Sequence, residues 1–331
     1  MSFQAFVLRK DGDTFSARVE TLADSDLPRG DVTIRVAWSC VNFKDGLATA
    51  RESNVVRNYP MIPGVDLAGT VESSSDSRFA KGQAVVVTGY DLGISHFGGY
   101  SELARVPSDW VAPLPGGMSL KEAMALGTAG FTTALSVEAM ERMGLRTDNG
   151  TVLVTGATGG VGSTAVSMLA GRGYTVAGST GKAAEHDYLR HLGATEVLSR
   201  EEVSAESKRV MEAERWAGAV DPVGGATTAY LARTVKYGGS IALSGLTGGN
   251  QVQTTVYPFI LRGVNILGIE SVWTPMAERV RLWQRMAEDL KPAGLLDSIA
   301  VEADLDGVAD ATATILKGGV RGRVLIRVGG G

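Results

Sequence analysis

Thr151-Val152-Leu153-Val154-Thr155-Gly156-Ala157-Thr158-Gly159-Gly160-Val161-Gly162 decides the reading of this chain, because an apolar strand runs straight into glycines and then into a helix. Glycines in such a turn permit tight backbone, let a pyrophosphate approach the main chain and pack the helix against the strand. The helix start then attracts phosphates through its free N–H groups and its dipole. A methyltransferase, a flavoprotein or a plain structural turn can carry a similar loop, so the surrounding pattern must decide. Downstream the chain repeats strand, glycine turn and helix: 151–155 then 161–171, 174–179 then 183–192, 194–198, 217–220 then 226–235, 240–244 and 264–271. Such alternation implies a doubly wound parallel sheet with helices on both faces.

Upstream the texture differs. Short apolar runs at 3–8, 32–41, 65–71, 84–88 and 100–106 are separated by Pro60, Pro63-Gly64, Lys81-Gly82 and Gly98-Gly99, the punctuation of a strand-and-turn domain. Ser119 followed by Glu122 has the spacing of a capping box, so a helical linker is expected to start there. Thr274-Pro275 opens a further helix to about residue 290, with proline where a helix tolerates it best. The tail then reads strand 299–302, helix 305–316 and strand 324–328. The expected organisation is an α/β chain with a β-rich catalytic domain from 1–121 and 274–331 and a nucleotide-binding domain from 122–273.

Bulk composition narrows the partners. The chain has 331 residues, 44% hydrophobic and 21% charged, enough to bury two cores. Its 43 glycines are nearly double the ordinary share of about 7%, without a collagen-like period. A net charge of −4 gives no large positive field for nucleic acid or an anionic membrane. Cys40 is the single cysteine, which excludes an internal disulfide and any multi-cysteine metal site. No basic leader with a long apolar stretch opens the chain and no run of ~18 apolar residues occurs, so a cytoplasmic protein is expected.

The end of the second nucleotide-domain strand selects the cofactor. Enzymes using NAD place an acid there for the ribose 2′-hydroxyl, whereas Ser179-Thr180-Gly181-Lys182 offers hydroxyls and a cation. That end favours the 2′-phosphate of NADPH, and Arg200 after the third strand adds a candidate bidentate clamp. The alternative for Lys182 and Arg200 is two solvated surface charges.

Several further stretches, in order, extend the pattern: Val41-Asn42-Phe43-Lys44-Asp45-Gly46, Val56-Arg57-Asn58-Tyr59-Pro60-Met61-Ile62-Pro63-Gly64-Val65-Asp66, Gly127-Thr128-Ala129-Gly130-Phe131-Thr132, Trp216-Ala217-Gly218-Ala219-Val220-Asp221, Tyr237-Gly238-Gly239, Pro258-Phe259-Ile260-Leu261-Arg262-Gly263 and Gly322-Arg323. With the glycine loop, they make the whole chain resemble the medium-chain dehydrogenase/reductases, and most closely their acryloyl-CoA reductase branch, the YhdH/YhfP quinone-oxidoreductase-like proteins. The resemblance implies a GroES-like catalytic domain, a Rossmann domain and a homodimer paired through the 264–271 edge strand. In the family's alcohol dehydrogenases a Cys, a His and a Cys hold catalytic zinc; the corresponding places here are Asn42, Val65 and Thr128, which make no plausible zinc set. His96, alone in the first domain, suits hydrogen bonding better than ligation.

Without that Lewis acid, alcohol oxidation loses its means of holding an alkoxide, whereas reduction of a conjugated double bond needs only hydride, hydrogen-bond donors and a proton. The resemblance implies the same reaction, acryloyl-CoA to propanoyl-CoA. Rival readings are an NADPH quinone or enone reductase, and a non-catalytic NADPH-binding sensor. Asn42 is assigned to orienting nicotinamide or substrate, and Lys44 with Asp45 to polar positioning or proton relay; the bland alternative is a turn, a helix start and a surface ion pair. Phe43, a proposed cofactor neighbour, stands where the family usually has tyrosine, so no phenolic proton can come from that position. Arg57 and Tyr59 either line the substrate mouth, with Arg51 and Arg57 attracting CoA phosphates, or belong to a solvated basic stretch. By resemblance Thr128, Leu246, Ile260 and Ser271 neighbour the cofactor together with Gly159, Gly160, Val161 and Gly162. Arg323 is either a cleft residue or a structural partner.

Overall fold

The computed structural model describes residues 2–329. In chain order the elements are β1 (Ser2–Asp11), β2 (Thr14–Ala23), β3 (Val32–Cys40), α1 (Phe43–Thr49), β4 (Asp66–Ser74), β5 (Ala84–Thr88), β6 (Leu103–Val106), β7 (Ala112–Pro113) and α2 (Leu120–Arg142). They continue as β8 (Val152–Val154), α3 (Gly160–Gly171), β9 (Val176–Thr180), α4 (His186–His191), β10 (Glu196–Ser199), β11 (Trp216–Asp221), α5 (Ala226–Thr234), β12 (Val235–Leu243), α6 (Tyr257–Arg262) and β13 (Asn265–Gly268). The chain closes with α7 (Met276–Ala287), β14 (Ala300–Asp304), α8 (Val308–Leu316) and β15 (Arg323–Arg327). None of the described helices is long and apolar enough to cross a membrane.

Two compact units emerge, one of residues 2–128, 272–287 and 295–329, the other of 129–271 and 288–294. The junction expected at 121/122 thus falls later, at Thr128/Ala129. Ser119 and Glu122 do form the reciprocal cap that opens α2, Ser119 N–H reaching Glu122 Oε2 at 2.8 Å and Glu122 N–H reaching Ser119 Oγ at 3.2 Å. The helix then breaks at Gly127, whose φ of 50° and ψ of −154° leave helical space. A cap marks where a helix starts; it carries no information on which core the first turns join.

The first unit is built on an antiparallel sheet, with β3 at its centre bonded to β15, β4 and β6. Strands β14 and β15 run parallel, as the α8 crossover between them requires. The β1–β2 hairpin is a separate two-stranded ribbon whose β1 tucks Phe3, Phe6 and Leu8 into the core beside Ile34, Leu67 and Tyr100. Strand β2 carries apolar residues at period two, Phe15, Ala17 and Val19, yet it is nowhere fully buried, and with Leu22 they only lean on that core.

The second unit is a six-stranded, wholly parallel sheet in the order β10-β9-β8-β11-β12-β13. Numbered within the unit this is 3-2-1-4-5-6, so the order reverses between β8 and β11, the switch point at which open α/β sheets bind nucleotides. Strand β13 bonds only to β12 and so forms one edge. It is shorter than the 264–271 run because its pairing with β12 ends at Gly268, whereas β9 begins at Val176, two residues into the 174–179 run, and pairs on to Thr180.

Candidate active site

The strand β3 ends at Cys40, and the chain turns at Val41 and Asn42 into α1. Asp45 lies at the third helical position and accepts the Asn42 amide N–H at 2.8 Å, satisfying one of the orphan donors of a helix start. Its other oxygen accepts the Val65 N–H at 3.0 Å, tying α1 to the segment that leads into β4. Asp66 follows, fully buried, and collects four donors: Asn42 Nδ2 at 2.8 Å, Thr128 N–H at 2.7 Å, Thr128 Oγ1 at 2.5 Å and Cys40 Sγ at 3.1 Å. Arg323, buried at the start of β15, completes the cluster from the other side. Its Nη1 donates to Asn42 Oδ1 and Val41 O, both at 3.1 Å, its Nη2 to Cys40 Sγ at 2.8 Å and its Nε to Ala125 O at 3.3 Å. Asn42 and Cys40 therefore bridge a buried carboxylate to a buried guanidinium, an arrangement that leaves neither charge unsatisfied.

This geometry tests the fit of a metal at Asn42, Val65 and Thr128. The Asn42 amide nitrogen is spent as a donor to Asp66, its oxygen holds a cation, Val65 offers hydrocarbon and the Thr128 hydroxyl is turned to Asp66. These donors do not suit zinc, which takes thiolate, imidazole or free carboxylate. No group of three or more His, Cys, Asp or Glu among the described residues has metal-binding geometry.

Lys44 and Asp45 do not act as a pair: Lys44 is exposed on α1, while Asp45 is sealed beneath two backbone amides and serves as cap and tie. Arg323 touches protein groups throughout and is a positioning residue. The Thr128 hydroxyl serves Asp66. Phe43 is exposed beside Lys44, and Arg57 and Tyr59 line a separate hollow of the same unit. Asp66, the hub of the cluster, and Cys40 received no role from the sequence. The available signal was a lone acid opening the apolar run 65–71, since a charge inside a buried strand demands partners.

Burial, and then repulsion from the Asp66 carboxylate, push the Asp45 carboxyl up from 3.8 to about 7, against the two amides that favour its charged form. Burial likewise raises the Cys40 thiol and the Tyr100 phenol well above their ordinary values, keeping both protonated, and Tyr100 Oη donates to Cys40 O at 3.2 Å. For Asp45 the folded value exceeds the unfolded one, so its stabilising contribution is complete below 3.8 and is lost as pH rises through about 7, at about 1.4 kcal/mol per pH unit within that window. Denaturant midpoints at about pH 5 and pH 8 should fall with pH in the wild type more steeply than in Asp45→Asn; parallel declines would contradict the assignment.

In the second unit the glycine loop has the form a phosphate cradle needs. Gly159 caps α3 with no side chain in the way, and Gly160, Val161 and Gly162 form its first turn. A Cβ on Gly162 would lie 2.6 Å from Ala157 Cα and closer still to Gly156 O, so helix and loop pack through hydrogen there. Ser179 and Thr180 close β9: Ala157 N–H donates to Ser179 O at 2.9 Å, and the hydroxyls of Thr158 and Thr180 lie 3.2 Å apart. Lys182 N–H caps Thr180 Oγ1 at 3.1 Å, and the Arg200 guanidinium lies against Gly181, where a Cβ would meet Nη2 at 2.8 Å. The fold thus gathers the glycine turn, the two hydroxyls and Arg200 at the carboxyl ends of β8, β9 and β10. Leu246 and Ile260 are exposed and Ser271 is half-buried. Asp221, also unassigned from sequence, ends β11 and fixes the switch point by accepting Thr155 Oγ1 at 2.6 Å, Thr228 Oγ1 at 2.5 Å and the Val223 and Gly224 amides.

Comparison with known families agrees with this two-part construction. Residues 28–116 match the alcohol dehydrogenase GroES-like domain and residues 160–287 the zinc-binding dehydrogenase domain. The chain belongs to the medium-chain dehydrogenase/reductase superfamily, an oxidoreductase family. Within it, the chain is 53% identical to the putative quinone oxidoreductase YhfP of Bacillus subtilis over 98% of this chain and 99% of that one. The YhfP crystal structure with NAD bound superposes with a TM-score of 0.96 over 99% of each chain. Acrylyl-CoA reductase AcuI of Ruegeria pomeroyi is 49% identical over 98% of this chain and 99% of its own length. The Escherichia coli YhdH structure with bound NADPH gives a TM-score of 0.94 at 45% identity, covering 98% of this chain and all (100%) of that one.

Proposed function

We propose that this chain is an NADPH-dependent reductase of an activated carbon–carbon double bond, with acryloyl-CoA or another short 2-enoyl-CoA as substrate and the saturated thioester as product. The observation that carries the reading is the closed Asn42–Asp66–Thr128–Arg323 cluster at the zinc-ligand positions, which provides no Lewis acid for an alkoxide. The chain's likeness to AcuI and to the NADPH-bound YhdH supports the same choice. When bound, the reduced cofactor supplies a hydride to the carbon β to the carbonyl.

The chain's own residues do the rest. Backbone N–H groups at the start of α3 bind the pyrophosphate, and Ser179, Thr180, Lys182 and Arg200 hold the 2′-phosphate. No acid stands at the end of β9 to favour an unphosphorylated ribose. Asn42, clamped by Asp66 and Arg323, fixes the turn that presents Phe43 and Lys44. With no hydroxyl on Phe43 and Asp45 sealed, Lys44 or water delivers the proton to the α carbon. The reading includes a two-fold dimer in which the β13 edge pairs with its copy; a monomeric mass by light scattering would remove that part.

Following NADPH absorbance with acryloyl-CoA, crotonyl-CoA and a simple quinone, each repeated with NADH, tests the whole reading. Turnover on the thioesters with a clear preference for NADPH is expected. Turnover on quinone alone would overturn the thioester assignment, and binding without turnover on any acceptor would indicate a sensor.

A further inference from the structure

Lys10 and Arg57 are exposed cations of the first unit whose side chains make no ion pair or hydrogen bond with any described residue, although Arg9, Arg35 and Lys121 in the same unit each pair with a glutamate. Both line one hollow of about 660 Å³, together with Asn54, Tyr59, Gly12 and Val56. One wall is the tip of the β1–β2 hairpin, where Gly12 has φ +55° and open space around it. The other is the segment after α1, joined to the hairpin by Arg51 Nη2 donating to Asp13 O at 3.0 Å. The Asn54 amide and the Tyr59 hydroxyl are likewise unbonded among the described residues. Tyr59 is held edge-on by Phe15 with ring centroids 6.4 Å apart, and burial raises its pKa, so its hydroxyl remains a donor. Two cations, an amide and a phenol face one space, and no lining residue is acidic. Such a set matches phosphate oxygens.

The hollow has room for more than one phosphate group. Along the chain it lies one short helix, α1, of about 10 Å by helical rise, beyond Asn42. We propose that this hollow binds the phosphorylated adenosine end of the coenzyme A moiety, leaving the acyl group to reach past α1. This rests on the thioester reading and specifies how the chain recognises that substrate class.

The test uses the NADPH-saturated full chain. Adenosine 3′,5′-bisphosphate, titrated calorimetrically, should bind the wild type, and its affinity should fall at least tenfold in Lys10→Gln/Arg57→Gln. Inorganic phosphate, titrated in parallel, should bind far more weakly. The ratio of kcat/KM for acryloyl-CoA to that for acryloyl-pantetheine should fall at least tenfold in the double variant. Equal bisphosphate affinity in both proteins, no binding to the wild type, or phosphate binding as tightly as the bisphosphate would overturn the assignment. Bisphosphate binding that the double substitution abolishes, with no thioester turned over, would support the hollow as a nucleotide-phosphate site and count against the thioester reading alone.

Discussion

Arg323→Met should lower the stability of this chain by about 3–5 kcal/mol, the range for removing one member of a buried charge pair. The substitution keeps most of the side-chain volume but strips the donors from Asn42 Oδ1, Cys40 Sγ, Val41 O and Ala125 O at once. It also leaves the Asp66 carboxylate buried without its compensating cation, and that desolvated charge dominates the loss. Arg323→Lys should recover only part of it, because an ammonium cannot span the two-sided fork that Nη1 and Nη2 make. Denaturant midpoints of the three proteins check this. If the methionine variant loses less than about 1 kcal/mol, the cluster is not held by its charges, and the view of Asn42 as clamped goes with it.

Gly162→Ala should weaken NADPH binding by about ten- to a hundredfold. The added Cβ meets backbone atoms of Gly156 and Ala157, which cannot swing aside as a flexible side chain would, so α3 must move off the loop. Overpacking of this kind costs about 1–3 kcal/mol, and each 1.4 kcal/mol is a factor of ten in affinity. Gly171→Ala at the far end of the same helix is the control: nothing lies within 4 Å of the place its methyl group would take, and alanine favours a helix. Titration of cofactor fluorescence, with an unfolding midpoint for each variant, reads the result. Unchanged affinity in Gly162→Ala would mean the loop is only a structural turn.

The nucleotide unit was legible from sequence because its signals are local. A strand, its glycine turn and its helix are contiguous, and short apolar runs located each strand of the parallel sheet, although β12 starts at Val235, earlier than the expected 240. The first unit was harder, since β2 is only half-buried: Phe15, Ala17 and Val19 alternate with polar residues but form no fully buried face. Candidate residues behaved in the same way. Gly159–Gly162, Ser179, Thr180 and Arg200 were chosen as candidates from their neighbours in sequence, and the fold brings them close together. Asp66 gained its meaning from Cys40, Asn42 and Thr128, brought together from separate elements, and Arg323 from a strand some 280 residues after Asn42 (|i−j| = 281). The burial of Asp45 was equally invisible, because it depends on a hydrogen bond to Val65 twenty residues away (|i−j| = 20).

At Gly127 a single β-carbon would sit 2.6 Å from Cys40 Sγ, 2.7 Å from Asp66 Oδ2 and 2.9 Å from Arg323 Nη2. The space between Cys40, Asp66 and Arg323 is thus filled by its own surroundings. Grafting cysteine, histidine and cysteine at 42, 65 and 128 would meet a guanidinium where an ion would have to enter and no spare volume to displace it into. Seating a metal ion would demand rebuilding of this neighbourhood as a whole, so the packing here works as a ratchet.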